Sequence, residues 1–297
     1  SACGDRLFDE AGMHLRAAAL CPGELPQPAA PEVLSLPLPF LCPEPGEDLL
    51  GLLYLSTRDI NGRKKTGSYF TPPQLVRELL ETCGFSAACR IWDPCCGTGS
   101  FLGGCLSLGA GIGQLSGQDQ DPLAVWIARI NLALWSGCQD AELLKQRITA
   151  GDSLVRDPAQ RPDLIVGNPP WGNLPGSRTE AASFFFEHCA ELLEPGGRIG
   201  FLMPSSLLQV KHHIHFQKYL RETMKIEYVR YEETAFDGVM CPSVFLLAEK
   251  APGDFSYRGT AVRDGDRAWQ IAGERKDDGE ALLLRMTDEE YAVCRRM

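Results

Sequence analysis

Residues 93–101 read Asp-Pro-Cys-Cys-Gly-Thr-Gly-Ser-Phe, and this stretch decides the fold. It joins a short apolar run that ends at Asp93 to an apolar segment with helical spacing, Ser100–Leu108. Gly97 and Gly99 permit a tight turn and let a ligand approach the backbone closely. The loop lacks the third glycine of the dinucleotide-binding fingerprint and the Lys-Ser/Thr pair of a phosphate-binding loop. An acidic residue ahead of such a loop suits a ligand with an ammonium group rather than a pyrophosphate.

On both sides of this loop, the chain alternates predicted strands with predicted helices. Strands are expected at Cys89–Asp93, Gln114–Asp119, Arg147–Asp152, Leu164–Asn168, Arg198–Met203, Glu227–Tyr231 and Ser243–Glu249. Helices are expected at Asp48–Thr57, Pro72–Cys83, Ser100–Leu108, Pro122–Trp135, Thr179–Leu193 and Ser206–Thr223. The alternation predicts a doubly wound, Rossmann-like α/β sheet that is mostly parallel. Because no helical pattern separates the last two strands, we expect them to form a C-terminal antiparallel hairpin.

Composition divides the chain into three regions. Residues 1–46 are rich in Pro and Ala, and this proline density excludes a long helix, so we expect only a short one near Leu7–Leu20. Residues 47–250 carry the alternating pattern of the central domain. Residues 251–297 are polar and weakly patterned, with a final helix expected near Asp288–Arg296. We interpret the outer regions as an N-terminal and a C-terminal extension, the latter as the start of a target-recognition region absent from this chain.

The overall composition is typical of a soluble globular protein, with 44% hydrophobic and 23% charged residues. No apolar run approaches the ~20 residues that a membrane span requires, and the first residues lack the pattern of a signal peptide. The 12 cysteines include no C-x-x-C spacing. We therefore expect reduced thiols in a cytoplasm, without a disulfide framework or a metal site.

The formal net charge of −10 repels phosphates at long range. Two segments nevertheless carry basic residues and no acid, Asn61–Arg77 and Met203–Arg221. A nucleic-acid partner would have to contact such local patches or bind through a module outside this chain.

Polar side chains end four of the predicted strands, and in a doubly wound sheet ligands bind at the carboxyl ends of strands. The four are Asp93, Asp119, Asp152 and Asn168. Asp119 can accept hydrogen bonds from both hydroxyls of a ribose, and Asp152 can accept one from an adenine amino group. Asp121 precedes a proline and is better suited to capping the next helix.

Asn168-Pro-Pro-Trp171 follows the apolar run at the fourth strand. A side-chain amide and a backbone carbonyl can together accept both hydrogens of an exocyclic amine. Pro169 has no N–H and Pro170 fixes its own φ, so the carbonyls here are held rigidly. The Trp171 ring can lie on a planar heterocycle. The motif alone does not distinguish adenine, guanine or a glutamine amide.

Taken together, these segments resemble the S-adenosylmethionine-dependent N6-adenine DNA methyltransferases, in the subgroup whose cofactor motifs precede the catalytic motif. The resemblance spans residues 47–250. It begins at Thr66-Gly-Ser-Tyr-Phe-Thr-Pro-Pro73, which is similar to the G-x-Y-F-T-P segment of that subgroup. It continues through the Asp93 loop, Asp119, Asp152 and Asn-Pro-Pro-Trp, and the order of all five is far more specific than any one of them.

The resemblance implies a role for each candidate residue. The methionine end of S-adenosylmethionine would be bound by Tyr69, Phe70, Thr71, Asp93, Pro94, Cys95 and Gly97. Asp119 would hold the ribose, and Asp152 and Phe185 the adenine of the cofactor. The catalytic residues would be Asn168, Pro169, Pro170, Trp171 and Phe236. Phe185 has an alternative role in core packing, because Phe184, Phe185 and Phe186 are consecutive and two of the three are expected in the core.

The implied substrate is duplex DNA with its target adenine flipped out and stacked on Trp171 and Phe236. A specificity subunit or a C-terminal target-recognition domain outside this chain would select the sequence, in a restriction–modification or phage-defence system of the bacterial cytoplasm and nucleoid. Three alternatives stay open: a protein-glutamine N5-methyltransferase, an RNA guanine-N2 methyltransferase and a non-catalytic DNA-binding subunit. A cytosine methyltransferase is rejected, since Cys95 lies in the cofactor turn.

Overall fold

The computed structural model describes residues 5, 7–9, 13–15, 17–22, 46–57, 71–174, 176–177, 179–233, 242–251, 257–273, 275 and 282–294. The chain forms two compact units, Ser1–Ala159 and Gln160–Met297. No helix within the described residues combines the length and apolarity that crossing a bilayer requires.

Unit 1 is built on three short parallel strands in the order β3-β2-β1. They are β1 (Ile91–Asp93), β2 (Leu115–Asp119) and β3 (Ile148–Ala150). The helices are α1 (Leu49–Thr57), α2 (Pro73–Cys83), α3 (Ser100–Ser107), α4 (Pro122–Ser136) and α5 (Ala141–Arg147), with 3-10 turns at Ala17–Leu20 and Ile112–Gln114. The longest of these helices, α4, starts at the Asp121 cap and Pro122 and ends at Gly137 in the left-handed region, so the sequence fixes both of its ends.

Two glycines let α3 lie close to its neighbours. A Cβ at Gly103 would lie 2.5 Å from the Trp135 ring of α4, and one at Gly104 would lie 2.7 Å from Val76 and Leu80 of α2. The loop of residues 93–99, which we call the glycine loop, leads directly into α3. The close packing of α3 therefore also fixes the position of this loop.

Unit 2 contains the remaining strands in the order β4-β5-β7-β6-β8-β9. They are β4 (Leu164–Gly167), β5 (Arg198–Pro204), β6 (Met224–Glu232), β7 (Ser243–Lys250), β8 (Ala261–Asp264) and β9 (Arg267–Gln270). Strand β4 is parallel to β5, whereas β7 is antiparallel to both β5 and β6. The helices are α6 (Ala181–Leu192), α7 (Ser206–Gln209), α8 (Ile214–Thr223) and α9 (Asp288–Cys294). Phe186 of α6 makes edge-on contacts with Phe201 of β5 and Phe216 of α8, which join these elements in one core.

All seven predicted strands are present, and their ends differ from the prediction by at most three residues. The antiparallel pairing of β6 and β7 confirms the predicted hairpin. The cap predicted at Asp121 is also confirmed, since its carboxylate accepts hydrogen bonds from the backbone amides of Leu123 and Ala124. Hydrophobic runs bounded by turn residues were therefore sufficient signals for β4, β5 and β7, whereas β2 reads Leu-Ser-Gly-Gln-Asp and has no such run.

The single helix predicted at Ser206–Thr223 is wrong. The segment forms α7, a 3-10 turn at Lys211–His213 and α8, and Val210 between them is extended. The buried side chain of Gln217 donates hydrogen bonds to the carbonyls of Leu207 and Val210, at 3.0 and 3.1 Å. In a continuous helix, these two carbonyls would accept backbone amides of the next turn, and here the Gln217 side chain replaces them. The spacing of apolar residues along the sequence does not reveal such a contact.

Other elements also differ from the prediction. Leu7–Leu20 is not one helix, because Met13–Leu15 is irregular and Ala17–Leu20 is a 3-10 turn. Trp126 and Arg129 of α4 hold this turn by donating to the carbonyls of Ala17 and Leu20, at 2.7 and 2.8 Å. Three elements were not predicted: α5, β8 and β9. Each is short and largely polar, and its stability comes from pairing or packing with the rest of its unit.

Candidate functional site

The glycine loop of unit 1 leaves β1 at Asp93, whose side chain is buried. The carboxylate of Asp93 accepts a hydrogen bond from the amide of Cys95 at 3.1 Å. Gly97 and Gly99 have φ values of 51° and 98°, and the amide of Gly99 donates to the carbonyl of Cys96. Among the described residues, nothing lies within 4 Å of a Cβ built on Gly97. The loop therefore presents open backbone beside a buried carboxyl group.

Asp119 ties the end of β2 to this loop. Its Oδ2 accepts a hydrogen bond from the amide of Gly97 at 2.8 Å, and its Oδ1 accepts one from the amide of Asp121 at 2.9 Å. The amide of Cys96 also donates to the carbonyl of Gln118. A carboxylate oxygen can accept two hydrogen bonds, so Asp119 can serve the loop and a ligand hydroxyl together.

Burial raises the pKa of Asp93 to about 8; the amide of Cys95 opposes this effect, and the negative charge of Asp119 adds to it. At neutral pH, the Asp93 carboxyl group is therefore mostly protonated. A cationic ligand would favour its ionised form. The neighbouring Cys96 is buried too, and burial raises the pKa of its thiol, which indicates a packing role rather than a nucleophile.

Asp152 lies two residues beyond the end of β3, and not in the strand as predicted. Its carboxylate accepts a hydrogen bond from the amide of Leu154 at 2.9 Å. The next residue, Ser153, donates to the carbonyl of Pro94 at 2.5 Å. Unit 1 thus brings the Asp93 loop, Asp119 and Asp152 together through hydrogen bonds. Thr71 is buried shortly before α2, whereas Tyr69 and Phe70 lie outside the described residues.

In unit 2, Asn168-Pro-Pro-Trp171 leaves the carboxyl end of β4. Asn168 is half-buried and Pro169 is buried. The indole nitrogen of Trp171 donates to the carbonyl of Leu202 in β5 at 3.4 Å. The next residue, Gly172, donates its amide to the Glu180 carboxylate, and its carbonyl accepts the amide of Ala181 at 2.7 Å. Strand β5 and the start of α6 therefore fix both sides of the motif.

The three consecutive phenylalanines of α6 have different environments. Phe184 is 42% exposed, Phe185 is 6% exposed and Phe186 is fully buried. The expectation that two of the three belong to the core is confirmed. The role of Phe185 toward a cofactor stays a prediction, and Phe236 lies outside the described residues.

The basic segment Met203–Arg221 begins at the carboxyl end of β5. Because β4 and β5 are parallel, this is also the edge at which Asn168 lies. Arg221 is buried and Lys218 lies 3.6 Å from Glu222, while Lys211 is exposed. The exposed positive charge of this segment is therefore smaller than its sequence implies. Most of the other basic segment, Asn61–Arg77, lies outside the described residues.

Sequence reasoning missed one buried polar cluster beside the loop. Asp48 accepts hydrogen bonds from Thr98 in the loop and from Asn131 of α4. The available signal was Asp48 itself, an acid at the head of an apolar helix, together with Gly51 inside that helix.

The N-6 DNA methylase family matches residues 47–253. The chain belongs to this family. The resemblance drawn from the sequence motifs is thereby confirmed.

Two curated methyltransferases are similar to this N-6 DNA methylase family member. Type II methyltransferase M.VspI of Vibrio sp. (strain 343) is 25% identical over 174 residues, which cover 52% of this chain and 41% of M.VspI. Type II methyltransferase M.CvrRI of Paramecium bursaria Chlorella virus XZ-6E is 24% identical over 238 residues, which cover 73% of this chain and 59% of M.CvrRI. The chain thus spans about half the length of the curated relatives it matches.

A solved structure shows the same fold. It is the type I restriction-modification system methyltransferase subunit from Streptococcus thermophilus, with a TM-score of 0.55 and 18% identity. The match covers 84% of this chain and 57% of that one. Together with the strand pairings above, it confirms the predicted Rossmann-like α/β fold with a C-terminal antiparallel hairpin.

Proposed function

We propose that this protein transfers a methyl group from S-adenosylmethionine to the N6 amino group of an adenine in DNA. One observation carries the proposal: in a chain of the N-6 DNA methylase family, Asn168-Pro-Pro-Trp171 stands at the carboxyl end of β4, anchored to β5. Unit 1 would hold the methyl donor, and the motif in unit 2 would hold the acceptor amine.

The residues of unit 1 fit the cofactor chemically. S-adenosylmethionine supplies an activated methyl group on a cationic sulfur. Asp93 would pair with its ammonium group, because a buried carboxyl group whose pKa is raised gains from a cationic partner. The backbone of Pro94, Cys95 and Gly97 would line the methionine end, with Tyr69, Phe70 and Thr71. Asp119 would accept from the ribose hydroxyls, and Asp152 from the adenine amino group. Outside unit 1, the family resemblance gives Phe185 the role of packing on the adenine ring.

Asn168 would activate the acceptor amine by hydrogen bonding. The lone pair of N6 is delocalised into the adenine ring, so the amine is a poor nucleophile. The side-chain oxygen of Asn168 and the carbonyl of Pro169 would accept its two hydrogens, which draws the nitrogen toward a tetrahedral form and frees the lone pair. Pro170 keeps the carbonyl rigid. Alignment and preorganised hydrogen bonds then supply the catalysis.

Trp171 and Phe236 would stack on the adenine after it leaves the duplex, because a paired base cannot reach the motif. The curated relatives are type II methyltransferases, and the solved relative is a subunit of a type I restriction-modification system. We therefore propose a restriction–modification or phage-defence role in the bacterial cytoplasm. A specificity subunit or a target-recognition domain would complete the protein, which agrees with a net charge of −10 that opposes DNA binding.

Sequencing of native DNA tests this proposal in cells. The whole protein is produced in a bacterial host that lacks N6-adenine methylation, beside its Asn168→Ala variant. The proposal predicts N6-methyladenine at one defined sequence with the wild-type protein and none with the variant. DNA without N6-methyladenine, despite a folded wild-type protein that binds S-adenosylmethionine, would contradict it.

A further inference from the structure

Asp48 lies at the head of α1 and is only 2% exposed. Its Oδ1 accepts hydrogen bonds from the amide of Gly51 and from the side-chain amide of Asn131, both at 2.6 Å. Its Oδ2 accepts a hydrogen bond from the hydroxyl of Thr98. A buried carboxylate is stable only when hydrogen bonds replace its lost hydration, and three donors do so here.

Asp48, Asn131 and Thr98 are each hydrogen-bonded to the other two, and Thr98 belongs to the glycine loop. Asn131 also donates to the carbonyl of Thr98 at 2.9 Å, and Thr98 lies between Gly97 and Gly99. A Cβ on Gly51 would lie 1.9 Å from the carboxylate of Asp48, so this position has to be glycine. We call Asp48, Gly51, Thr98 and Asn131 the Asp48 cluster. It fixes Thr98, the residue between the two glycines of the loop.

Tyr54 extends the contact from α1 to the end of β2. Its hydroxyl donates to the carboxylate of Asp121, and the amide of Asp121 donates to Asp119 at 2.9 Å. One short helix therefore contacts the glycine loop through Asp48 and the neighbourhood of Asp119 through Tyr54. These two places are where the methionine and ribose ends of the cofactor would bind.

Burying an acid at position 48 removes its hydration, and this desolvation lowers the stability of the fold in a way that an apolar residue would avoid. Burial raises the pKa of Asp48, and the hydrogen bonds from Thr98, Gly51 and Asn131 lower it. Replacing a buried charged network by apolar residues is often neutral or stabilising in other proteins. The Asp48 cluster is thus better explained by what it orients than by a gain in stability.

We propose that Asp48 and Tyr54 are positioning residues for S-adenosylmethionine, which hold the glycine loop and Asp119 in the binding conformation without touching the cofactor. This inference rests on the proposed function. It predicts that both residues control the affinity for the cofactor and leave the rate at saturating cofactor nearly unchanged.

Calorimetric titration of the whole protein with S-adenosylmethionine tests the inference on Asp48→Ala, Asp48→Asn and Tyr54→Phe. Asp48→Ala removes the hydrogen bond to Thr98 of the loop and those to Gly51 and Asn131, and it is expected to weaken binding roughly ten-fold or more. Asp48→Asn keeps the oxygen that accepts from Gly51 and Asn131, and its amide can donate to the Thr98 hydroxyl. It is therefore expected to restore affinity to within about three-fold of wild type. Tyr54→Phe should lose roughly three- to ten-fold.

Asp140→Ala is the control. Asp140 is an exposed residue that caps α5 by accepting from the amide of Leu143 at 3.0 Å, so this variant loses an aspartate–amide hydrogen bond in a different helix. It should lose thermal stability and keep the wild-type affinity. All titrations are made where thermal unfolding shows each variant to be folded. If Asp48→Ala does not fold, Thr98→Val replaces it, with an expected loss of roughly ten-fold.

The outcomes separate the two proposals. Weaker binding in Asp48→Ala with recovery in Asp48→Asn, and a raised KM for the cofactor with little change in kcat, supports the positioning role. Folded Asp48→Ala and Tyr54→Phe variants with wild-type affinity would overturn it while the proposed function stands. A wild-type protein that does not bind S-adenosylmethionine would overturn the proposed function itself.

Discussion

The backbone amide of Gly97 donates a hydrogen bond of 2.8 Å to the carboxylate of Asp119. This bond joins the turn after β1 to the end of β2, and the second oxygen of Asp119 accepts the amide of Asp121. Asp119, which is proposed to bind the ribose of the cofactor, therefore also holds the loop that would bind the methionine end. The two functions cannot be separated by removing the side chain.

Asp119→Ala should weaken the binding of S-adenosylmethionine by at least about 100-fold, because it removes the ribose acceptor and releases the Gly97 amide. Asp119→Asn keeps one acceptor oxygen and should fall between this variant and wild type. Isothermal titration calorimetry measures both. Equal affinities of Asp119→Ala and wild type would disprove the role of Asp119.

The pKa of about 8 at Asp93 predicts that cofactor binding releases a proton. The carboxyl group is mostly protonated in the cofactor-free protein near neutral pH, and a cation beside it favours ionisation. Affinity should therefore rise from about pH 6 to about pH 7, with release of nearly one proton per site. Titration in two buffers of different ionisation enthalpy measures the release, and Asp93→Asn should abolish it.

The same shift sets the pH dependence of stability without cofactor. The unfolded chain loses the Asp93 proton near its ordinary pKa, and the folded chain keeps it up to about 8. The contribution of Asp93 is thus fully present at low pH and is lost as pH rises through the folded pKa, by about 1.4 kcal/mol per pH unit. Denaturant unfolding measures the free energy of unfolding of wild type and Asp93→Asn as pH rises toward 8. The stability of wild type should fall relative to that of Asp93→Asn, so the difference should grow with pH.

Gly103→Ala should destabilise the protein although alanine favours helices. The added Cβ would lie 2.5 Å from the Trp135 ring, and such overpacking costs about 1–3 kcal/mol against a helix gain of at most about 1 kcal/mol. We expect a net loss of roughly 1–2 kcal/mol in denaturant unfolding. Gly113→Ala is the control, since nothing in the described residues lies within 4 Å of its Cβ. A more stable Gly103→Ala would refute the packing of α3 on α4.

Trp171→Ala should raise the KM for DNA by roughly 10- to 100-fold, because stacking of a base on an aromatic ring contributes about 1–3 kcal/mol. Trp171→Phe keeps a ring but loses the hydrogen bond to the Leu202 carbonyl, so its change should be several-fold smaller. Phe184→Ala, at an exposed position of α6, is the control and should keep the wild-type KM. An unchanged KM in Trp171→Ala would exclude stacking on this ring.

The sequence predicted the elements that are defined by local signals. The buried strands β1 and β4 follow from the apolar residues ahead of Asp93 and Asn168, and the α4 start follows from Asp121 and Pro122. The break between α7 and α8 depends instead on the buried amide of Gln217, which no local pattern reveals. The pairing of β8 with β6 is likewise set by tertiary contacts.

The candidate site was predictable only in part for the same reason. Asp93, Asp119, Asp152 and Asn168 were predicted to converge, and hydrogen bonds through Gly97 and Ser153 join the segments of the first three. The convergence of Asn168 with them stays a prediction. The Asp48 cluster was not predicted, because Thr98 and Asn131 lie 50 and 83 residues from Asp48 in the sequence. Only the folded chain brings them to Asp48.

The most direct test incubates the whole protein with DNA and with S-adenosylmethionine labelled in its methyl group, and then digests the DNA to nucleosides. We predict label in N6-methyldeoxyadenosine and in no other nucleoside, and no label with Asn168→Ala although that variant still binds the cofactor. DNA that carries no label, or label in a nucleoside other than deoxyadenosine, would contradict the proposed function.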